Sequence, residues 1–266
     1  MNPLILIRGG GDLASGVALR LHRVGFQVAI LELDKPLSVR RSVSFSEAVY
    51  EGEQNVEGVV SRLVSADQIQ VTIEAGEIPV VVDPQARILG NQFLTNPSST
   101  FVIDARLMKT EPEPLEANVP LHIGLGPGFN AGENCHTVIE TRRSHTLGRV
   151  YWNGSTQPDS GQPDGDSRRV LRAPAAGNVE PFKQIGEMCR EGDLIARVNG
   201  QSILSPFNGL LRGLIHQRVA VTEGMKIGDV DSRADASMCR LVSDKALSVA
   251  GGVLEAVYVK LKEFGE

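Results

Sequence analysis

Short runs of apolar residues, each ended by a turn former, recur along the N-terminal half of the chain. Residues 4–8 form the first run and lead into three glycines, after which apolar residues at helical spacing continue to Gly25. A second apolar run covers residues 28–33, so the pattern predicts a strand, a glycine turn, a helix and a strand. Further strands are predicted at residues 78–82, 100–103 and 119–123, with a helix over 66–75. Apolar strands separated by crossover-length segments indicate a mainly parallel sheet.

The glycine turn has the G-x-G-x-x-A spacing of a dinucleotide-binding fingerprint. Gly9, Gly10 and Gly11 would let a phosphate approach the backbone, and Glu32 ends the second strand where a ribose hydroxyl would need an acceptor. Asp12 opposes this interpretation because its charge would repel a pyrophosphate, although it could cap the helix or bind a cation or sugar hydroxyl. A glycine turn needed only for close packing is the alternative. The pattern predicts a Rossmann-like α/β domain over residues 1–150.

Further candidate ligand contacts follow the predicted strands. In a parallel sheet, ligands bind beyond the carboxyl ends of the strands, so residues placed there should face one crevice. The candidates at these positions are Arg40, Arg41, Asp83, Asp104, Arg106, Gly124, Gly126 and Gly128. The two arginines suit a phosphate or carboxylate, and a solvated turn is the alternative for them.

The second half of the chain contains a 32-residue repeat. Pro174 matches Pro206, and Gly192 matches Gly224, at the same offset. Two quasi-equivalent halves predict a β barrel-sandwich unit of the biotinyl/lipoyl type over residues 170–231. The hairpin between the halves lacks the lysine that carrier domains modify. An amphipathic C-terminal helix is predicted over residues 243–262, with Ser243 as its cap.

Three residues are candidate catalytic groups. Cys135 and His136 follow the glycine-rich segment, and His145 lies shortly afterwards. A neighbouring cation or helix start would lower the pKa of Cys135 and make it a reactive thiolate. Cysteine is also a common buried apolar residue, which is the alternative. Metal-ligand spacing such as C-x-x-C is absent from the sequence, so no metal site is predicted.

Composition narrows the classes of function. The net charge of −5 argues against general nucleic-acid binding. No apolar segment approaches the roughly 20 residues that span a bilayer. Three widely spaced cysteines are typical of a reducing compartment, so we expect a cytoplasmic protein without membrane contact.

Several motifs together resemble one known family. They lie at residues 8–14, 36–41, 48–52, 124–129, 135–136, 140–141 and 226–231. In these motifs the chain resembles the selenium-dependent molybdenum hydroxylase accessory proteins (YqeB-like), which are related in theme to the XdhC/CoxF maturation factors. The likeness runs nearly from end to end.

The resemblance implies a maturation factor that acts on a molybdenum hydroxylase apoenzyme. It would bind the molybdenum cofactor, with or without a nucleotide, through the glycine turns and arginines, while Cys135 would contact the metal centre or carry sulfur. Two alternatives stay open: an NAD(P)-dependent oxidoreductase and a non-catalytic adaptor. Whether the chain is an enzyme and whether it forms a homo-oligomer are left open.

Overall fold

The computed structural model describes residues 3–90, 99–161, 165–233 and 235–264. A nine-stranded sheet occupies the N-terminal part, and its strand order is β10-β9-β7-β6-β1-β2-β5-β4-β3. Its strands are β1 (Leu4–Arg8), β2 (Gln27–Glu32), β3 (Glu53–Val56), β4 (Val59–Leu63), β5 (Ile78–Val82), β6 (Thr100–Asp104), β7 (Leu121–Leu125), β9 (Thr137–Ile139) and β10 (Val150–Tyr151). The inner strands are parallel, whereas β3 and β10 run antiparallel to their neighbours at the two edges. A separate two-stranded sheet joins β8 (Asn130–Ala131) to β11 (Gly154–Ser155).

Two long helices cover one face of the nine-stranded sheet. They are α1 (Asp12–Arg23) and α4 (Asp244–Glu263), and both contribute to the apolar core on that face. Gly16 allows the two helices to approach, since a Cβ at this position would lie 2.7 Å from the Cβ of Ala246. The shorter helices are α2 (Ala48–Glu51) and α3 (Ile69–Glu74). The C-terminal helix predicted from the sequence is therefore confirmed, including the hydrogen bond from the Ala246 amide to Ser243 Oγ.

The second half of the chain folds into two antiparallel sheets. One has the strand order β12-β19-β17-β14 and the other β16-β15-β13-β18. Their strands are β12 (Val170–Arg172), β13 (Gly177–Pro181), β14 (Met188–Cys189), β15 (Leu194–Val198), β16 (Gln201–Leu204), β17 (Gly209–Leu214), β18 (Ala220–Val221) and β19 (Lys226–Asp231). The repeat is visible here, because β13 pairs with β15 and β17 pairs with β19. Asn199 and Gly200 both have positive φ, as a tight Asn-Gly turn requires.

The N-terminal part of the molecule, which holds the nine-stranded sheet, contacts the second part, which holds the two four-stranded antiparallel sheets. Tyr50 belongs to the apolar core of the β sheets, although it lies in the N-terminal part of the sequence. Its ring stacks on His216 with 3.8 Å between centroids and 8° between the planes. A Cβ on Gly213 would lie 2.8 Å from the carbonyl oxygen of Val39. The interface is therefore closely packed on both sides.

The fold class predicted from the sequence, a Rossmann-like domain joined to a barrel-sandwich unit, was wrong. The large sheet is mixed, and its covering helix α4 comes from the far C-terminus. The β strands of the second half form two separate antiparallel sheets. The edge strand β3 is polar (Glu-Gln-Asn-Val) and gave no apolar signal. Because edge pairing depends on tertiary contacts, the strand pattern could not reveal it.

Among the residues that the structure describes, no helix combines the length and apolar character needed to cross a membrane. The predicted cytoplasmic location stays a prediction.

Candidate functional site

The glycine turn after β1 is occupied by the protein's own groups. The Gly10 amide donates to Glu32 Oε2 at 2.6 Å, and the Leu33 amide donates to Glu32 Oε1 at 2.7 Å. The Ser46 amide donates to the Gly10 carbonyl at 2.9 Å, and a Cβ on Gly10 would lie 2.9 Å from the Ser46 nitrogen. Burial raises the pKa of the Glu32 carboxyl, and the two amide hydrogen bonds oppose that shift. Gly10 is thus required for packing, and Glu32 takes the amide that a phosphate would need.

The first residue of α1 is used in a structural ion pair. Arg40 Nη1 donates to both carboxylate oxygens of Asp12, at 3.0 and 2.8 Å. Arg40 Nη2 donates to the carbonyl oxygens of Met238 and Leu241, so Arg40 ties the start of α1 to the segment before α4. A Cβ on the neighbouring Gly11 would lie 3.4 Å from Ser38 Oγ, an ordinary contact.

The polar residues at the ends of β1 and β6 bind one another. Asp104 is completely buried and accepts from Arg8 Nη1 at 3.1 Å and from Arg106 Nη2 at 2.7 Å. The predicted neighbour Asp83 instead accepts from the Ile88 amide at 2.9 Å and closes its own turn. Asp104 and Arg106 therefore belong to a closed ion-pair network, and their predicted role in ligand binding stays a prediction.

The glycines within and after β7 are explained by packing. A Cβ on Gly124 would lie 2.2 Å from the ring of Phe129, and one on Gly128 would lie 2.1 Å from the carbonyl oxygen of Thr110. Gly126 has φ +118°, where a side chain would be strained, and its neighbours are the backbone atoms of Leu107 and Met108. These positions hold the 107–110 segment against the strand.

The predicted catalytic residues do not converge. Cys135 is buried, while His136 and His145 are exposed. Cys135 Sγ lies 3.4 Å from the Thr137 carbonyl, and burial raises the pKa of its thiol to about 11. The expected lowering of that pKa is wrong. Desolvation raises the pKa, and the backbone hydrogen bonds to the sulfur, which lower it, do not offset this effect. His136 Nδ1 accepts from the His122 amide at 2.9 Å.

A cavity of about 520 Å³ lies between the two parts of the molecule. We call it the interface pocket. One wall comes from the segment before and within α2, and the other from turns after β13 and β17. The lining residues are Arg41, Ser42, Glu47, Glu51, Gln54, Pro181, Lys183, Gln184, Ile185, Leu214, Ile215, His216 and Gln217. Of the residues predicted as ligand contacts, Arg41 lies here.

His216 is fixed in one orientation and one tautomer. Its Nδ1 accepts from the Arg218 amide at 3.1 Å, and its ring lies flat on Tyr50. Tyr50 is itself held by a hydrogen bond from its hydroxyl to the Pro36 carbonyl at 2.9 Å. Burial lowers the pKa of His216, so the ring is neutral near pH 7. With Nδ1 as acceptor, the hydrogen must reside on Nε2.

Two carboxylates face this imidazole. Glu51 Oε1 lies 3.9 Å from His216 Nε2, and its side chain is 61% exposed at the rim. Glu47 is buried and bonded to Arg41 Nη1. Burial raises the pKa of Glu47, and the Arg41 charge opposes this. Arg41 is anchored a second time, because its Nε donates to the Leu214 carbonyl at 2.8 Å.

The same three side chains are close enough to hold a metal ion, but their bonding does not fit one. One ligand atom each from Glu47, Glu51 and His216 lies within 4.8 Å of the others. A metal at Nε2 would need that nitrogen free of hydrogen, while Nδ1 is already an acceptor. Glu47 Oε1 is also already bonded to Arg41. The arrangement favours hydrogen bonding and proton transfer.

Sequence reasoning missed Glu47, His216 and Lys183. Glu51 lies within the 48–52 motif of the family resemblance, which was the available signal. His216 had none, because its partners lie in a distant part of the chain.

Comparison with curated proteins found one similar chain. A protein of Escherichia coli (strain K12) named "Uncharacterized protein YqeB" is 44% identical over 268 residues, covering 98% of this chain and 48% of that protein. The chain therefore spans about half the length of this curated relative. No family model matches the chain.

Solved structures show only distant likeness. An aspartoacylase family protein from Mesorhizobium loti has a TM-score of 0.25 and 10% identity, covering 86% of this chain and 85% of that chain. The apo ectoine utilization protein EutE (DoeB) from Ruegeria pomeroyi has a TM-score of 0.25 and 11% identity, covering 86% of both chains. A succinylglutamate desuccinylase/aspartoacylase from Rhodobacter sphaeroides has a TM-score of 0.26 and 12% identity, covering 86% and 85%. Likeness at this level establishes neither fold nor activity.

These findings correct the predicted nucleotide-binding character. The turn that would hold a nucleotide phosphate is closed by Glu32 and Ser46. Cofactor binding at the glycine turn is therefore not retained.

Proposed function

We propose that this chain is an accessory protein of a molybdenum hydroxylase and that it works by binding a small molecule in the interface pocket. The observation that carries the pocket assignment is the pair of buried, shifted groups that line it. The pKa of Glu47 is raised and that of His216 is lowered, both by burial. Perturbed groups in a cavity of a few hundred cubic ångströms are typical of binding and catalytic sites.

The accessory role rests on sequence resemblance. Two of the motifs that carry it, at residues 36–41 and 48–52, contribute Arg41 and Glu51 to the pocket wall. The glycine motif at 124–129 instead serves packing. These two motifs thus support the pocket as the functional part of the chain.

The alternatives differ in their support. The main evidence for an NAD(P)-dependent oxidoreductase was the glycine turn, and the Gly10 amide of that turn donates to Glu32 instead of being available to a phosphate. A non-catalytic adaptor and a homo-oligomer stay predictions.

A pocket-filling substitution tests the proposal. Gln184 is exposed and lines the pocket, so Gln184→Trp should block it without disturbing the core. Gln201→Trp, on exposed β16, is the matched control. In cells lacking this protein, we expect the native chain and the control to restore hydroxylase activity, and Gln184→Trp to fail.

Either part of the proposal can be rejected separately. Full restoration by Gln184→Trp would show that the pocket is not the working site. If the native chain has no effect on hydroxylase activity, the accessory role is wrong.

A further inference from the structure

We propose that the interface pocket takes a ligand bearing a carboxylate or phosphate group; this inference rests on the proposed function of the pocket. It follows from counting which hydrogen-bonding groups on the pocket wall are already engaged. Three donors on the wall keep hydrogens available for a ligand, whereas the two carboxylate charges are balanced by Arg41 or lie at the rim.

His216 supplies the first donor. Because Nδ1 accepts from the Arg218 amide, the Nε2 hydrogen is directed elsewhere. Glu51 Oε1 is 3.9 Å from Nε2, beyond hydrogen-bond distance. Stacking on Tyr50 prevents the ring from turning freely. The Nε2–H group is therefore a donor with a fixed direction that a ligand can use.

Arg41 supplies the second donor. Its Nε is bonded to the Leu214 carbonyl and its Nη1 to Glu47. For the described part of the chain, no bond is recorded for Nη2, and the side chain is 25% exposed in the pocket wall. The two anchors orient the guanidinium, so little side-chain entropy remains to be lost when a ligand binds.

Lys183 supplies the third donor. Its Nζ lies 3.3 Å from Asp193 and the side chain is 25% exposed. An ammonium has three N–H groups, so one ion pair leaves donors for a ligand.

The acceptors are not comparably available. Glu47 Oε1 is bonded to Arg41, whose charge balances that of the carboxylate, and Glu51 is mostly in solvent, where its charge is screened. A ligand that satisfies three donors needs several acceptor lone pairs in a small volume. Carboxylates and phosphates provide them, and charged partners make these bonds about twice as strong as neutral ones.

Benzoate and its neutral isostere benzamide are suitable probes. Both fit a cavity of about 520 Å³, and they differ in charge with little difference in shape. Binding is measured by titration, and long-range ¹H–¹⁵N NMR spectra of His216 report whether the probe is in the pocket. We expect benzoate to bind at least tenfold more tightly than benzamide and to shift the His216 signals.

Variants identify the donors. Lys183→Gln and His216→Asn should each weaken benzoate binding at least fivefold. Lys262→Gln, at an exposed position on α4, should leave it unchanged. Circular dichroism establishes that each variant is folded.

The outcomes separate this inference from the proposed function. If benzamide binds at His216 as tightly as benzoate, the pocket binds small molecules but the inferred ligand class is wrong. Benzoate binding that survives both pocket substitutions also overturns the inference. If neither probe shifts His216 at millimolar concentration, the inference is overturned, and the hydroxylase assay with Gln184→Trp decides the proposed function independently.

Discussion

Single side chains decide what the motifs of this sequence do. Glu32 has the spacing of a ribose-binding acid, yet its two oxygens accept from the amides of Gly10 and Leu33. His216 has no motif around it, yet a backbone amide and an aromatic ring fix it in a cavity. The role of a residue here depends on which of its atoms are left unbonded after folding.

His122 should make the protein sensitive to mild acid. It is buried, its Nε2 has no hydrogen-bond partner among the residues that the structure describes, and burial lowers its pKa to about 4. The unfolded chain has a histidine pKa near 6.5, so stability is fully present above pH 6.5 and is lost as pH falls towards 4. The loss attributable to this group is about 3 kcal/mol.

Chemical denaturation between pH 4 and 7 measures this effect. His122→Leu should flatten the pH dependence of the free energy of unfolding, while His145→Leu, at an exposed position, should leave it as in the native chain. Equal acid sensitivity of His122→Leu and the native protein would contradict the assignment.

At the scale of elements, α4 shows how neighbouring glycines can differ. A Cβ on Gly252 would lie 2.1 Å from the Gly148 carbonyl oxygen, and Gly148 in turn faces Ser248. A Cβ on Gly251 would have no neighbour within 4 Å. The loop that contains Gly148 lies so close to α4 that position 252 requires glycine, whereas position 251 has room for a side chain.

Paired substitutions test this difference. Gly251→Ala should raise the free energy of unfolding by up to about 1 kcal/mol, because alanine favours a helix. Gly252→Ala should lower it by about 1–3 kcal/mol, because the loop must move. Thermal and urea unfolding would report both, and similar effects from the two substitutions would contradict the packing argument.

Sequence reasoning succeeded where the signal was local. The strand Ile78–Val82 was predicted with its observed bounds, since its apolar run stands between Gly76 and the Asp83-Pro84 turn. Polar β3 gave no such signal. The pocket was missed for a similar reason, since Glu47 and His216 meet only through packing of the two parts.

At the scale of the whole molecule, the two parts are joined by contacts of several kinds. Arg41 bonds the Leu214 carbonyl, Tyr50 stacks on His216, and Gly213 packs on Val39. Such an interface should make the two parts unfold together.

Unfolding followed by two probes tests this coupling. Trp152 fluorescence reports the N-terminal part, and far-UV circular dichroism reports both. Their transitions should coincide in the native chain. Gly213→Ala should separate them, because its Cβ would lie 2.8 Å from the Val39 oxygen. Ser202→Ala, at an exposed position on β16, is the control; coincident transitions in Gly213→Ala would show that this contact does not couple the parts.

The 32-residue repeat has a consequence for the pocket. Lys183, Gln184 and Ile185 occupy the same repeat positions as Ile215, His216 and Gln217, and all six line the cavity. Two identical halves would have given this wall of the pocket two equivalent sets of side chains. Instead, lysine stands opposite isoleucine in the repeat alignment, and histidine stands opposite glutamine. The wall that the repeat forms is therefore chemically asymmetric, with an ammonium and an imidazole at non-equivalent repeat positions.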